Sequence, residues 1–214
     1  MILEIDNVEL SFDNRKILKA IYLKAELGQV TGILGRNGSG KTSLLKILFG
    51  HLSPKYKNIR INGKHQKKAL YKSSLAAYLP QHSLLPNSFT LKKAFKLFNT
   101  NWDDFTAHFP SFKIYKNAKI SALSSGEVRI VETYLILYSG KKIILLDEPF
   151  SYIAPLYVEK FVEIMNHIKK EQILIVTDHL YKEILELTNN IYFLKNGNSK
   201  LINSKAELEQ EGYI

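Results

Sequence analysis

The sequence predicts an α/β fold: a parallel sheet core with an antiparallel β flank and a small inserted helical subdomain. Three observations carry that expectation. Strand and helix patterns alternate after residue 30, which places crossover helices over the faces of a parallel sheet. The runs Ile143–Leu146, Ile173–Thr177 and Ile191–Leu194 are almost wholly apolar, as strands covered on both faces are. Finally, Gly35-Arg36-Asn37-Gly38-Ser39-Gly40-Lys41-Thr42 fits G-x-x-x-x-G-K-[ST] at every fixed position. It lies between an apolar strand and a helix start, the setting that this phosphate-binding motif requires.

Along the chain, Leu3–Val8 reads as a strand, and Ile17–Leu27 reads as two. This first part is strand-rich without helices, so it forms the antiparallel flank. Val30–Leu34 leads into the glycine loop, and Ser43 to Phe49 begins the helix beyond it. Asn58–Ile61 and Leu75–Leu79 are further strands. His82 to Ala122 differs in kind, with Pro86, Pro110, the only tryptophan (Trp102) and short amphipathic pieces, of which Leu91–Phe98 is helical. It reads as a helical insertion. Helical patterns recur at Gly126–Tyr138, Leu156–Lys169 and Leu180–Leu187. Asn196-Gly197, between Ile191–Leu194 and Lys200–Ile202, reads as a hairpin turn. We expect one domain over residues 1–214: residues 1–81 and 123–214 make the core and its flank, and residues 82–122 the helical subdomain.

Composition narrows the setting. A chain of 214 residues with 45% hydrophobic content can bury one sizeable core. No apolar run approaches the length of a membrane span, and Met1 to Asp6 reads as an edge strand rather than a secretion leader. The absence of cysteine excludes disulfides and thiolate metal sites and suits a reducing compartment, so the expectation is a cytoplasmic chain. The formal charge is +10, with positive residues crowded at Lys55 to Lys72, Lys92 to Lys96 and Lys113 to Lys119. Such runs can face nucleic acid or anionic lipid headgroups. Arginine is scarce and no aromatic–basic stacking pattern accompanies them. Solubilising lysine is the favoured reading, with membrane proximity as an addition and nucleic acid not the expected partner.

The chemistry starts at the glycine loop. The glycines let successive backbone N–H groups turn inward on a phosphate, and the helix that follows adds unpaired donors and its positive dipole end. Gly35, Asn37, Gly38, Ser39, Gly40 and Ser43 are the cradle; Lys41 reaches the β- and γ-phosphates, and the Thr42 hydroxyl ligates Mg²⁺. Ile143-Ile144-Leu145-Leu146-Asp147-Glu148-Pro149 is an apolar strand ending in two acids. A carboxylate at the C-terminal end of a parallel strand sits at the ligand-binding rim. Asp147 is placed to hold Mg²⁺ opposite Thr42, and Glu148 to polarise an attacking water.

In their order these motifs resemble the nucleotide-binding subunit of ABC ATPases, over essentially the whole chain, and so a P-loop NTPase core. Leu123-Ser124-Ser125-Gly126-Glu127 is similar to the signature LSGGQ, and Leu79-Pro80-Gln81 to the Q-loop. Thr177-Asp178-His179 is similar to the H-loop, and Phe12 stands where the aromatic A-loop residue stacks on adenine. The resemblance implies that Gln81 touches Mg²⁺ and the attacking water, and that His179 contacts the γ-phosphate. It implies head-to-tail dimers, homo- or heteromeric, in which Ser124, Ser125, Gly126 and Glu127 of one subunit face the ATP of the other. It also implies an integral membrane permease as partner, contacted near Gln81 and Leu84 to Phe112 on the cytoplasmic face. Leu84, Leu85, Phe89 and Trp102 could line that contact, or form a small private core.

Plainer roles stand beside these: Phe12 as a strand-end core aromatic, Gln81 as an ordinary loop residue, His179 as a helix-start residue, and Ser124 or Ser125 with Glu127 as a capping arrangement. Three departures from the family pattern stand out: Ser125 replaces the first signature glycine, Glu127 replaces glutamine, and Ser151-Tyr152-Ile153-Ala154 lacks the usual aspartate. The leading expectation is an ATP-hydrolysing subunit that powers a separate permease. The alternatives are a soluble ABC-type ATPase acting on nucleic acid or ribosomes, and a low-turnover nucleotide-binding regulator.

Overall fold

Ten strands form one sheet in the computed structural model, in the order β5-β4-β1-β2-β10-β9-β3-β8-β7-β6; it describes residues 1–13, 15–179 and 181–214. The strands are β1 (Ile2–Phe12), β2 (Arg15–Glu26), β3 (Val30–Leu34), β4 (Tyr56–Ile61), β5 (Lys64–His65) and β6 (Ala76–Leu79), then β7 (Ile143–Asp147), β8 (Ile173–Thr177), β9 (Asn190–Lys195) and β10 (Asn198–Ile202). The helices are α1 (Lys41–Phe49), α2 (Leu91–Leu97), α3 (Trp102–His108), α4 (Ser125–Leu137), α5 (Pro155–Ile168), α6 (Tyr181–Leu187) and α7 (Lys205–Gln210). Leu180, where the fifth helical pattern starts in the sequence, lies outside the described residues.

The parallel part and the antiparallel flank are both present. β6, β7, β8, β3 and β9 pair in parallel, while β1 pairs antiparallel with β2 and with β4. β9 and β10 form the expected hairpin across Asn196-Gly197. One expectation is corrected: Ile17–Leu27 is not two strands, since Ile17 to Glu26 belong to the single strand β2 and Leu27 lies just beyond it. Its apolar phase changes between Leu18 and Ile21, which resembles a break. Register shifts in the β1–β2 pairing, between Ile5 and Val8 and between Val8 and Leu10, absorb that change without ending the strand.

The strands β3, β7 and β8 are buried at every position, so a helical layer must cover each face. On one side lie α1 and the flank strands, with Leu44, Leu45, Leu48, Leu23 and Ile5 in a common core. On the other, α4 and α5 join the sheet to the segment between β6 and α4. That segment holds α2, α3 and two 3₁₀ turns, Pro110–Tyr115 and Ile120–Ala122. Leu85 and Trp102 are buried there, and Leu84 and Phe89 pack against the same core. Phe105 packs in tilted and edge-on ring contacts against Phe95, Phe109, Phe112 and Tyr134 of α4. Leu85 and Trp102 therefore serve neither an exposed contact nor a private core, but one continuous with the sheet. Among the described residues, no helix is long and apolar enough to cross a membrane.

Candidate functional site

Parallel pairing places four strand ends at one rim. Ile33 lies opposite Thr177, Thr177 opposite Asp147, and Leu146 opposite Leu79. The loops that leave β3, β6, β7 and β8 therefore emerge together, carrying residues 35–40, Gln81, Glu148 and His179.

The glycine loop runs from β3 into α1. Gly40 precedes the helix with φ 102°, a left-handed backbone, and a Cβ there would sit 2.7 Å from Leu18 Cδ2. Glycine is thus required on both conformational and steric grounds. No side chain caps α1, so its first-turn N–H groups are left to the loop's own cleft. That cleft, about 410 Å³, is lined by Phe12, Ile17, residues 37–43, Gln81 and Glu148. Phe12, at the end of β1, is half-exposed there.

The Lys41 ammonium is buried and donates to the carbonyls of Gly35 (2.7 Å) and Arg36 (3.4 Å). Burial pulls it below the usual lysine range, and the carboxylates of Glu148, Asp147 and Asp178 partly restore it. The Ser39 hydroxyl is buried with no hydrogen-bond partner among the described residues, an orphan polar atom on a residue that lines the same cleft.

Asp147 is fully buried. Its Oδ1 accepts from the hydroxyls of Thr42 (3.2 Å) and Thr177 (2.8 Å), and its Oδ2 from Tyr78 (3.0 Å). Burial, reinforced by the Asp147 charge, pushes the Tyr78 phenol above its ordinary range, so it donates. Glu148 follows with φ 52°, a left-handed conformation uncommon outside glycine. Its amide donates to the Thr177 carbonyl at 2.8 Å. Its Oε2 accepts from Gln81 Nε2 (2.9 Å) and from Ser151 Oγ (3.4 Å), and lies 3.8 Å from His179 Nδ1. His179 is itself 3.5 Å from Asp178 Oδ1, and the buried Asp178 also accepts from the Phe150 amide.

The structure thus gathers Phe12, the glycine loop, Lys41, Thr42, Gln81, Asp147, Glu148 and His179. It does not bring Ser124, Ser125, Gly126 and Glu127 to that cleft. They form the N-terminus of α4, beside a separate cleft of about 370 Å³ that Ser125 shares with Gln81, Ser151 and Tyr152. There Ser124 caps the helix: its Oγ accepts from the Glu127 amide (3.3 Å), and Glu127 Oε2 accepts from the Ser124 amide (2.8 Å). A Cβ on Gly126 would collide with the Tyr152 carbonyl. Tyr152 has φ 65° and its side chain is 82% exposed.

Sequence reasoning missed Tyr78, Thr177 and Ser151. Tyr78 sits in an apolar run and reads as core; only a phenol one residue before a strand end hints otherwise. Ser151 and Thr177 carried signals in hindsight, each being a hydroxyl one to three residues from an expected acid or histidine.

Comparison with known proteins gives the family. A family model described as "ABC transporter" matches residues 18–151, and the chain belongs to that family. It is 29% identical over 214 residues to the arabinose import ATP-binding protein AraG of Mannheimia succiniciproducens, covering 91% of this chain and 42% of that protein. It is 27% identical over 216 residues to the galactose/methyl galactoside import ATP-binding protein MglA of Clostridium perfringens, covering 92% and 41%. The chain therefore spans about two fifths of the length of these relatives. The fold matches a solved ATP binding subunit of an ABC transporter with a TM-score of 0.82 at 20% identity, covering 100% of this chain and 94% of that one.

Proposed function

We propose that the chain binds ATP with Mg²⁺ in the Phe12–Lys41–Glu148 cleft and hydrolyses it as one half of a head-to-tail dimer, energising a separate membrane permease on its cytoplasmic face. One observation carries this reading. The phosphate loop, Thr42–Asp147 and the Gln81–Glu148 pair share one cleft, whereas Ser124 to Glu127 cap a helix beside another. A single chain thus offers one flank of a nucleotide site and, elsewhere, donors suited to the other flank of a second site. The relatives' names, which speak of import ATP-binding proteins, support the same reading.

The residues present fit both groups. The buried Ser39 hydroxyl and the ammonium of Lys41 suit phosphate oxygens. Mg²⁺ prefers oxygen ligands and binds through one or two carboxylates plus substrate phosphates. Thr42 and Asp147, flanked by Gln81, match that donor set. Among the described residues no group of three or more His, Asp or Glu could hold a metal unaided. Bound there, Mg²⁺ would supply charge neutralisation at the β- and γ-phosphate oxygens. Phe12 would stack on the adenine.

In the hydrolytic step, the oxygen of a water attacks the γ-phosphorus, the bond to the bridging oxygen breaks, and ADP leaves with that electron pair. Glu148 takes the water's proton, Gln81 orients the water, Lys41 neutralises the phosphates, and His179 contacts the γ-phosphate. Residues 82–122, as a helical subdomain, would carry the permease contact near Gln81.

Capture of the tagged Glu148→Gln chain from detergent-solubilised membranes of its source, with ATP present, tests this reading. Recovery of an integral membrane protein with several spans is expected. Recovery of RNA alone at physiological salt would contradict it.

A further inference from the structure

Arg129 and Glu132 lie three residues apart on α4, 5% and 1% exposed, and they are the charged residues among its buried positions. Neither lines the phosphate-loop cleft. Arg129 Nη1 donates to the Pro80 carbonyl at 2.6 Å. Its Nη2 donates to the carbonyls of Asp147 and, at 2.9 Å, Glu148, and its Nε to Glu148 at 3.2 Å. Glu132 Oε1 accepts from Ser83 Oγ (2.8 Å) and from the amides of Leu84 (2.7 Å) and Leu85 (2.8 Å). Its Oε2 lies 4.0 Å from the guanidinium.

The pair therefore grips the chain on both sides of Gln81: the residue before it through Arg129, and the segment two to four residues after it through Glu132. Arg129 also fixes both peptide carbonyls of the Asp147-Glu148 turn. We propose that Arg129 and Glu132 are positioning residues that set Gln81 and Glu148 for the hydrolytic step, an inference that rests on the role given to Glu148 above.

The physical case is geometric. Glu148 adopts φ 52°, a conformation that persists only where the surroundings over-determine it. Arg129 supplies that determination at the Glu148 carbonyl. A guanidinium offers donors in a rigid plane, here spread over three carbonyls from two loops, and a lysine ammonium cannot reproduce that fan.

The test compares Arg129→Lys and Glu132→Gln with the parent chain, measuring ATP affinity with a fluorescent ATP analogue, kcat and KM by phosphate release, and the thermal midpoint. Glu132→Gln keeps an acceptor for the Leu84 and Leu85 amides but loses the charge that faces the Arg129 guanidinium, so it is the milder variant to read where Arg129→Lys does not fold. Small misplacements of reacting groups cost up to about 100-fold in rate. We expect kcat to fall about 10-fold or more in whichever of the two variants folds, with the ATP dissociation constant within about twofold of the parent. Parent-like kcat in both variants, or kcat and affinity falling together with the thermal midpoint, would overturn the proposal. An active Glu148→Gln chain would instead remove the underlying role of Glu148.

Discussion

The Gln81 side-chain amide donates to Glu148 Oε2 across 2.9 Å, joining a loop after β6 to the end of β7. The two residues are 67 apart in sequence, and they meet because β6 and β7 are parallel neighbours in register. This carboxylate oxygen also faces Ser151 and His179, so three side chains converge on one carboxylate oxygen.

Glu148→Gln keeps the size and the contact with Gln81 but loses the base. Turnover should fall by ~10²-fold or more, while ATP binding is retained. Phosphate release and nucleotide titration on the same preparation check this. Undiminished turnover would show that another group accepts the proton.

Lys41→Ala should chiefly weaken ATP affinity, and an unchanged dissociation constant would contradict the cradle. The pH dependence has a definite sign. Burial lowers the Lys41 ammonium in the free chain, and phosphate charges restore it on binding. Affinity is therefore full at neutral pH and declines as pH rises towards the ordinary lysine value of about 10.4. The decline should vanish in Lys41→Met, as titrations across that range would reveal.

Tyr78→Phe removes the donor to Asp147 Oδ2 while leaving the apolar packing intact. A buried carboxylate oxygen left unpaired costs about 1–3 kcal/mol, which urea unfolding measures. The Mg²⁺ concentration for half-maximal turnover should also rise, because Asp147 is then held only through Oδ1. An unchanged Mg²⁺ titration would leave Tyr78 with a packing role alone.

At the start of α4 two neighbouring substitutions should diverge. Ser125→Gly is expected to preserve or raise turnover, since the cap is built by Ser124 and Glu127. Gly126→Ala forces its methyl onto the Tyr152 carbonyl and should lower turnover about 10-fold or more, while ATP binding to the monomeric chain is unaltered because its own phosphate loop is untouched. Steady-state assays of the two variants side by side decide it.

Local chemistry made much of this legible in the sequence. The loop between β3 and α1 follows from its glycines and its strand–helix setting, and the Asp147–Glu148 pair from an apolar strand that ends in two acids. A capping arrangement of Ser124 or Ser125 with Glu127 is legible in the sequence, and the fold assigns it to Ser124. What escaped depends on tertiary partners. The continuity of β2 rests on bulges in its neighbour, and the burial of Leu85 and Trp102 rests on α4. α7, capped by Ser204, is a single short turn pair without an apolar period to announce it. Arg129 and Glu132 read as ordinary helix charges, because nothing local says that three carbonyls and two amides await them.

Hydrolysis per chain, measured against chain concentration on the isolated protein, bears most directly on the half-site account. The specific rate should climb with concentration and saturate as pairs form. A specific rate that stays constant and maximal where sedimentation finds only monomers would contradict it.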